Sequence, residues 1–197
     1  MYTEYEKDII SILSKFKLEI SDNDTFKEKL NLIQGIEEKY NLFLPESYKC
    51  FLLLCNNGFF SDTVSFNIED SEFLLNELYC LTGNDNLTAQ IETFLFRMPQ
   101  NLIPIGERPN GDQVCIGVKE ETNESVFLWY HENELEARKM IGEINSDTDT
   151  NSYYENIEII SNSFLNFLNS LKLNDKIAEE VDLDDVEIWL DDDLLND

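Results

Sequence analysis

At Asn101 the spacing of apolar residues changes from helical to alternating, and that single change restricts the folds open to the chain. Before it, Tyr5, Ile9, Ile12 and Phe16 recur at intervals of four, three and four, the pattern of one buried helix face. A second helix is expected from Phe26 to Asn41, capped by Asp24 or Thr25, with Leu30, Ile33, Ile36 and Tyr40 on its buried side. "LPESYKCFLLLCNNG" predicts a third, started by Pro45, stopped at Asn57-Gly58 and apolar on most sides. "TVSFNI" (63–68) and "LYCLT" (78–82) predict short strands, and Ile91, Phe94, Leu95 and Met98 a short helix ending near Pro99. After Asn101, "LIPIG", "QVCIGVK" and "SVFLWYH" are strand-like runs separated by the turn-rich "ERPNGD" and "EETNE", which predicts an antiparallel meander. A loop, "NSDTDTNSYYEN", then leads to a helix outlined by Ile160, Phe164, Phe167, Leu168 and Leu171. Helices before and after sequential strands imply α+β: a central antiparallel β-sheet flanked by N- and C-terminal helices.

Charge narrows the partners. With 41 acidic against 14 basic residues the chain carries a formal net charge of −27. Nucleic acid and anionic membranes are repelled by such a surface, whereas a basic protein is attracted; acidity that serves only solubility is the plainer alternative. No apolar stretch reaches the roughly 20 residues of a spanning helix, and "MYTEYEKDIISILSKF" lacks a signal peptide's basic head, so a cytoplasmic protein is expected. Cys50, Cys55, Cys80 and Cys115 then read as reduced, buried thiols. One domain is expected over residues 1–174. Residues 175–197 form an acidic extension with 11 acids and only Lys176 as a base, in which Leu183, Val186, Leu190 and Leu194 follow helical spacing beside Trp189.

Catalytic signals are weak. His131 is the only histidine, so a two-histidine metal site is absent and any triad rests on one residue, which reads instead as a hydrogen-bonded strand end. Cys50 and Cys55 lack the CxxC spacing of zinc and redox sites, and Gly106 with Gly111 makes no phosphate loop. Carboxylates such as Asp147 and Asp149 are too abundant to signify a site by themselves. In "NGDQVCIG", Asn110-Gly111 suits a tight hairpin, Asp112 can hold the turn through nearby amides, and Val114, Ile116 and Val118 alternate into a sheet. No catalytic residue, cofactor or metal ligand is expected.

Three segments resemble the SUKH superfamily of Smi/Knr-like proteins. In "IEEKYNLFLPESYKCFLLLCNNG", Glu37, Leu44-Pro45, Tyr48, Phe51-Leu52 and Asn57-Gly58 stand at the family's order and spacing, although Phe59 follows where the family usually has a second glycine. "IPIGERPNGDQVCIGV" followed by "SVFLWYHE" is similar to its strand, Gly-Asp turn and strands, and "ISNSFLNFLNSL" to its closing helix. The resemblance covers about residues 26–172. It implies an α+β fold and a binding role, and in bacterial members an antidote to a polymorphic toxin, often a nuclease.

Taken together, these readings predict a non-enzymatic immunity protein that binds a cognate basic toxin, with a regulatory scaffold of the cell-wall-regulator type as the alternative. The acidic runs "NIEDSE" (67–72), "EETNE" (120–124), "HENELE" (131–136) and the extension supply Glu69, Asp70, Glu132, Glu134, Asp191, Asp192 and Asp193 as candidate contacts. Phe59, Phe60 and Trp189 are candidate anchors, with Tyr153 and Tyr154 behind them; Trp129 is expected in the core.

Overall fold

Periodicity becomes packing in the computed structural model, which describes residues 3–22, 25–83, 86–119 and 122–174. The first stripe forms α1 (Thr3–Lys15), with Ile9, Ile12 and Leu13 buried and Phe16 buried just beyond its end. The second forms α2 (Phe26–Tyr40), where Ile33 and Ile36 are buried as expected but Leu30 is 44% exposed. Lys29 takes the inner position instead. Its ammonium donates to Ser21 Oγ at 2.5 Å and to the carbonyl oxygens of Cys55 at 2.6 Å and Leu52 at 3.3 Å. Those carbonyls close the C-terminal end of α3 (Glu46–Leu54), so a cation placed there meets the negative end of the helix dipole. Thr25 precedes α2 without capping it; its hydroxyl donates to Asp22 O at 2.8 Å, and Asp24 lies outside the described residues. Asn41, at φ 50°, ends α2 in the left-handed conformation.

Pro45 sits at the N-cap of α3, but the helix ends at Leu54, three residues before the expected stop. Cys55–Asn57 instead forms β2, paired with β1 (Glu19–Ile20). The strand expected at 63–68 is the end of a longer one, β3 (Phe59–Ile68), which turns at Glu69-Asp70 into β4 (Ser71–Leu78). "LYCLT" is therefore not a strand: only Leu78 belongs to β4, and Tyr79–Thr82 lead away from it. The meander is present as β5 (Leu102–Glu107), β6 (Gln113–Gly117) and β7 (Val126–Trp129). Two further strands, β8 (Ile157–Ser161) and β9 (Lys172–Leu173), complete an antiparallel sheet of seven in the order β8-β7-β6-β5-β4-β3-β9.

Both faces of the central strands are covered. Val114 and Ile116 of β6 join the main core, whereas Cys115 between them joins a second cluster with Phe94, Met98, Leu102 and Trp129, as alternation along a strand requires. The main core is closed by α1, α3 and α6 (Phe164–Ser170): Phe164 meets Tyr48 edge-on at 5.0 Å and Phe167 meets Phe66 of β3 at 5.7 Å. The second is closed by α4 (Leu87–Phe94), with Phe94 edge-on to Trp129 at 5.5 Å. The arrangement is the expected α+β class. A short helix that periodicity did not announce, α5 (Leu135–Met140), follows β7.

Candidate interaction surface

The motif residues are occupied in holding the frame. Glu37, near the end of α2, accepts a hydrogen bond from Leu44 N and pairs with Lys49 Nζ, each at 2.9 Å. Its spacing of seven from Leu44-Pro45 is thus the span of the turn it clamps. Gly58 is packed so closely that a Cβ would lie 1.8 Å from Leu78 O.

The Asn-Gly-Asp turn is also architectural. Gly111 takes φ +91°, and Asp112, only 2% exposed, receives Asn110 Nδ2 at 2.8 Å, His131 N at 3.1 Å, His131 Nδ1 at 2.8 Å and the Arg108 guanidinium. Burial alone would raise the Asp112 carboxyl; the bonds from His131 and Asn110 and the Arg108 charge outweigh it and hold the group below its usual range. Arg108 in turn lies over the Phe73 ring at 4.7 Å. A continuous line therefore runs from Phe73 in β4 through Arg108 and Asp112 to His131 at the exit of β7. Through its N–H and Nδ1 the single histidine ties the exit of β7 to this turn. Among the described residues no three His, Cys, Asp or Glu side chains gather as metal donors.

Strand directions decide which acidic runs converge. Glu77 of β4 pairs with Glu107 of β5, and Gln113 of β6 with Trp129 of β7, which puts the Glu69-Asp70 turn, the 108–112 turn and the 130–136 segment at one end of the sheet. Val118, Lys119 and residues 122–125 lie at the other. Glu69, Asp70 and Glu132 are exposed at this hairpin end. Glu134 is not available: it forms a bidentate pair with Arg97 at 2.7 and 2.6 Å, and Arg97 is stacked over Phe94 and Trp129. Glu120 and Glu121 lie outside the described residues.

The bases do little to offset these acids, because most are spent internally. Lys17, Lys39, Lys49, Arg97, Arg108, Arg138 and Lys139 each pair with a carboxylate of this chain. Lys29 is buried, and Lys15 caps α6 through Leu171 O at 2.8 Å.

Apolar candidates divide differently from the expectation. Phe59 is 60% exposed, but Phe60 is 6% exposed with its ring edge-on to Phe16 at 5.7 Å, so Phe60 is a core residue and not an anchor. Alternation along β3 turns the two in opposite directions. Trp129 is fully buried, and Tyr153 is buried with its hydroxyl donating to Asn133 O at 3.0 Å. Tyr154 is exposed, and its hydroxyl donates to Asn101 Oδ1 at 2.7 Å. Trp189, Asp191, Asp192 and Asp193 lie outside the described residues. Two strongly exposed aromatic rings escaped the sequence reading: Phe43 at 78% and Phe96 at 77%. Phe96 and Phe43 line adjoining parts of a groove at the end opposite the hairpins; the deeper part, of about 370 Å³, also has Tyr40, Leu42, Ile103 and Lys119 in its wall. The signal for Phe43 was present in "LFL", where Leu42 and Leu44 are buried and the residue between them points out.

Comparison with known proteins adds three findings. The model of the SMI1 / KNR4 family (SUKH-1) matches residues 28–170. A Bacillus subtilis (strain 168) protein, described as the SPbeta prophage-derived uncharacterized protein YokK, is 26% identical over 192 residues, covering 90% of this chain and 88% of that protein. No solved structure matches significantly.

Proposed function

Because the chain belongs to the SMI1 / KNR4 family (SUKH-1), we propose that it is a non-enzymatic immunity protein that neutralises a cognate basic toxin, of which a nuclease is the leading class. The observation that carries this reading is the hairpin end, where Glu69, Asp70 and Glu132 are exposed while seven bases are tied up in internal ion pairs. A toxin that grips phosphate presents Lys and Arg at its groove. Carboxylates held by a rigid sheet occupy those positions without the substrate's reactivity, and the field of the acidic surface raises the encounter rate. Residues 175–197, with 11 further acids, add to the same field as an appended segment. No helix among the described residues is long and apolar enough to cross a membrane, and we place the action in the cytoplasm.

The groove bearing Phe43 and Phe96 favours a second reading, a regulatory scaffold that recruits several moderate partners through apolar contacts. Calorimetric titration against the product of the adjacent gene, at about 50 and about 300 mM salt where screening lengths differ more than twofold, separates the two. One tight site that weakens with salt is expected. Binding indifferent to salt, or none alongside several partners in a pull-down, transfers the function to the scaffold reading.

A further inference from the structure

Two of the four buried thiols touch. Cys80 Sγ lies 3.2 Å from Cys55 Sγ, about 1 Å beyond the length of a disulfide bond. The contact is set by backbone. Cys55 begins β2 directly after α3, Cys80 lies two residues beyond β4, and the two segments are stitched by Leu78 N donating to Gly58 O at 3.0 Å. A Cβ on Gly58 would come within 3.3 Å of Cys80 Sγ, so the glycine is what lets the second sulfur approach. The Lys29 ammonium, bonded to the Cys55 carbonyl oxygen at 2.6 Å, brings a positive charge beside the pair. Cys55 is fully buried, whereas Cys80 keeps 5% exposure. Cys50 lies within α3, and Cys115 lies across the sheet beside Met98 Sδ at 3.9 Å.

We infer that Cys55 and Cys80 form a redox-active dithiol, which a hydroperoxide converts to an intramolecular disulfide. Cys80, the less buried of the two residues, attacks the peroxide; the O–O bond breaks, the departing oxygen takes the thiol proton, and Cys80 becomes a sulfenic acid. The Cys55 sulfur then displaces the hydroxyl. The S–S bond forms as the S–O bond breaks, the Cys55 proton leaves with the hydroxyl as water, and the sulfurs lose the two electrons that the peroxide gains. The hydrogen bond to Cys80 and then burial push the Cys55 thiol well above its ordinary value, while Lys29 opposes them, so Cys55 keeps its proton until the second step. The bond would close the 55–80 segment, which carries β2, β3 and β4 with the acidic turn.

The test is peptide mass mapping of the folded, full-length chain after hydrogen peroxide and alkylation. The expected product has lost two hydrogen masses in a single Cys55–Cys80 cross-link, which a dithiol reductant reverses; Cys80→Ser abolishes it and Cys115→Ser leaves it. The wild-type map needs no variant to fold. Four alkylatable thiols surviving conditions that oxidise the unfolded chain would overturn the inference, as would a cross-link between another pair, or sulfinic acid without a cross-link.

Discussion

A carboxylate removed from water costs several kcal/mol unless opposite charge and hydrogen bonds replace its hydration, and Asp112 has both. With four donors converging on it, its folded-state pKa lies below the unfolded value of about 3.9. The unfolded chain therefore takes up the proton first on acidification. The stability Asp112 contributes is complete above that unfolded value and is lost as pH falls through the lower folded value. Asp112→Asn is expected to cost about 3 kcal/mol at neutral pH, since it leaves Arg108 part-buried without its charge partner. Urea unfolding from neutral to acid pH should show a steeper decline for the wild type than for the variant. Equal slopes would mean that Asp112 does not control this part of the acid response. The Asn-Gly-Asp turn was readable because its bonds span two residues; the His131 partnership, 19 residues away, was not. Lys29 was unreadable for another reason. A lysine on a helix reads as solvated, and only the end of α3 reveals why it is buried while Leu30 is not.

Between elements, the junction of α2 and α3 depends on one side chain. Glu37 satisfies the Leu44 N–H in a segment with no helical partner and holds Lys49 one turn into α3. Glu37→Ala should lower stability by about 1–2 kcal/mol, from a half-buried bond to an ionised acceptor. Glu37→Gln retains the Leu44 acceptor and should recover part of the loss, because Lys49 still has Glu46 at 3.1 Å. Chemical denaturation of the three proteins measures both, and an unchanged midpoint in Glu37→Ala would remove the clamp from the account. Helices α1 to α3 and the β5–β7 meander were legible because their periods are local. The β3–β4 hairpin was not: "SEFLLNEL" places Phe73, Leu74 and Leu75 in succession, and no alternation marks a face. Strand β8 is an edge strand with both sides half-covered, Ile160 against the main core and Ile157 against the second cluster, so "IEIIS" has no contrast to read.

Across the whole molecule, composition announced an acidic surface but not its location, since net charge has no address. Position follows from strand direction: the turns bearing Glu69 and Glu132 lie at the same end of the sheet although distant in sequence, while residues 122–125 lie at the other. The opposite end instead exposes Phe43 and Phe96, so the two ends offer a partner different chemistry. Charge reversal separates a general field from a local contact. Glu69→Lys, Asp70→Lys and Glu132→Lys together change the net charge by as much as do Glu28→Lys and Glu38→Lys, both exposed on α2, with Glu124→Lys between β6 and β7 at the opposite end of the sheet. A field that acts only over distance treats the two sets alike. If the hairpin end is the contact, the first set should slow association with the basic partner about tenfold at low salt and hasten dissociation, whereas the second gives only a small loss of association rate. The first set should not lower folding stability, because it relieves self-repulsion in a chain of charge −27, whereas the second also gives up the acid in the first turn of α2 at a cost of about 0.3–1 kcal/mol. Surface plasmon resonance across a salt series reads both rates, and equal losses from the two sets would take the contact away from Glu69, Asp70 and Glu132 and leave their charge as steering alone.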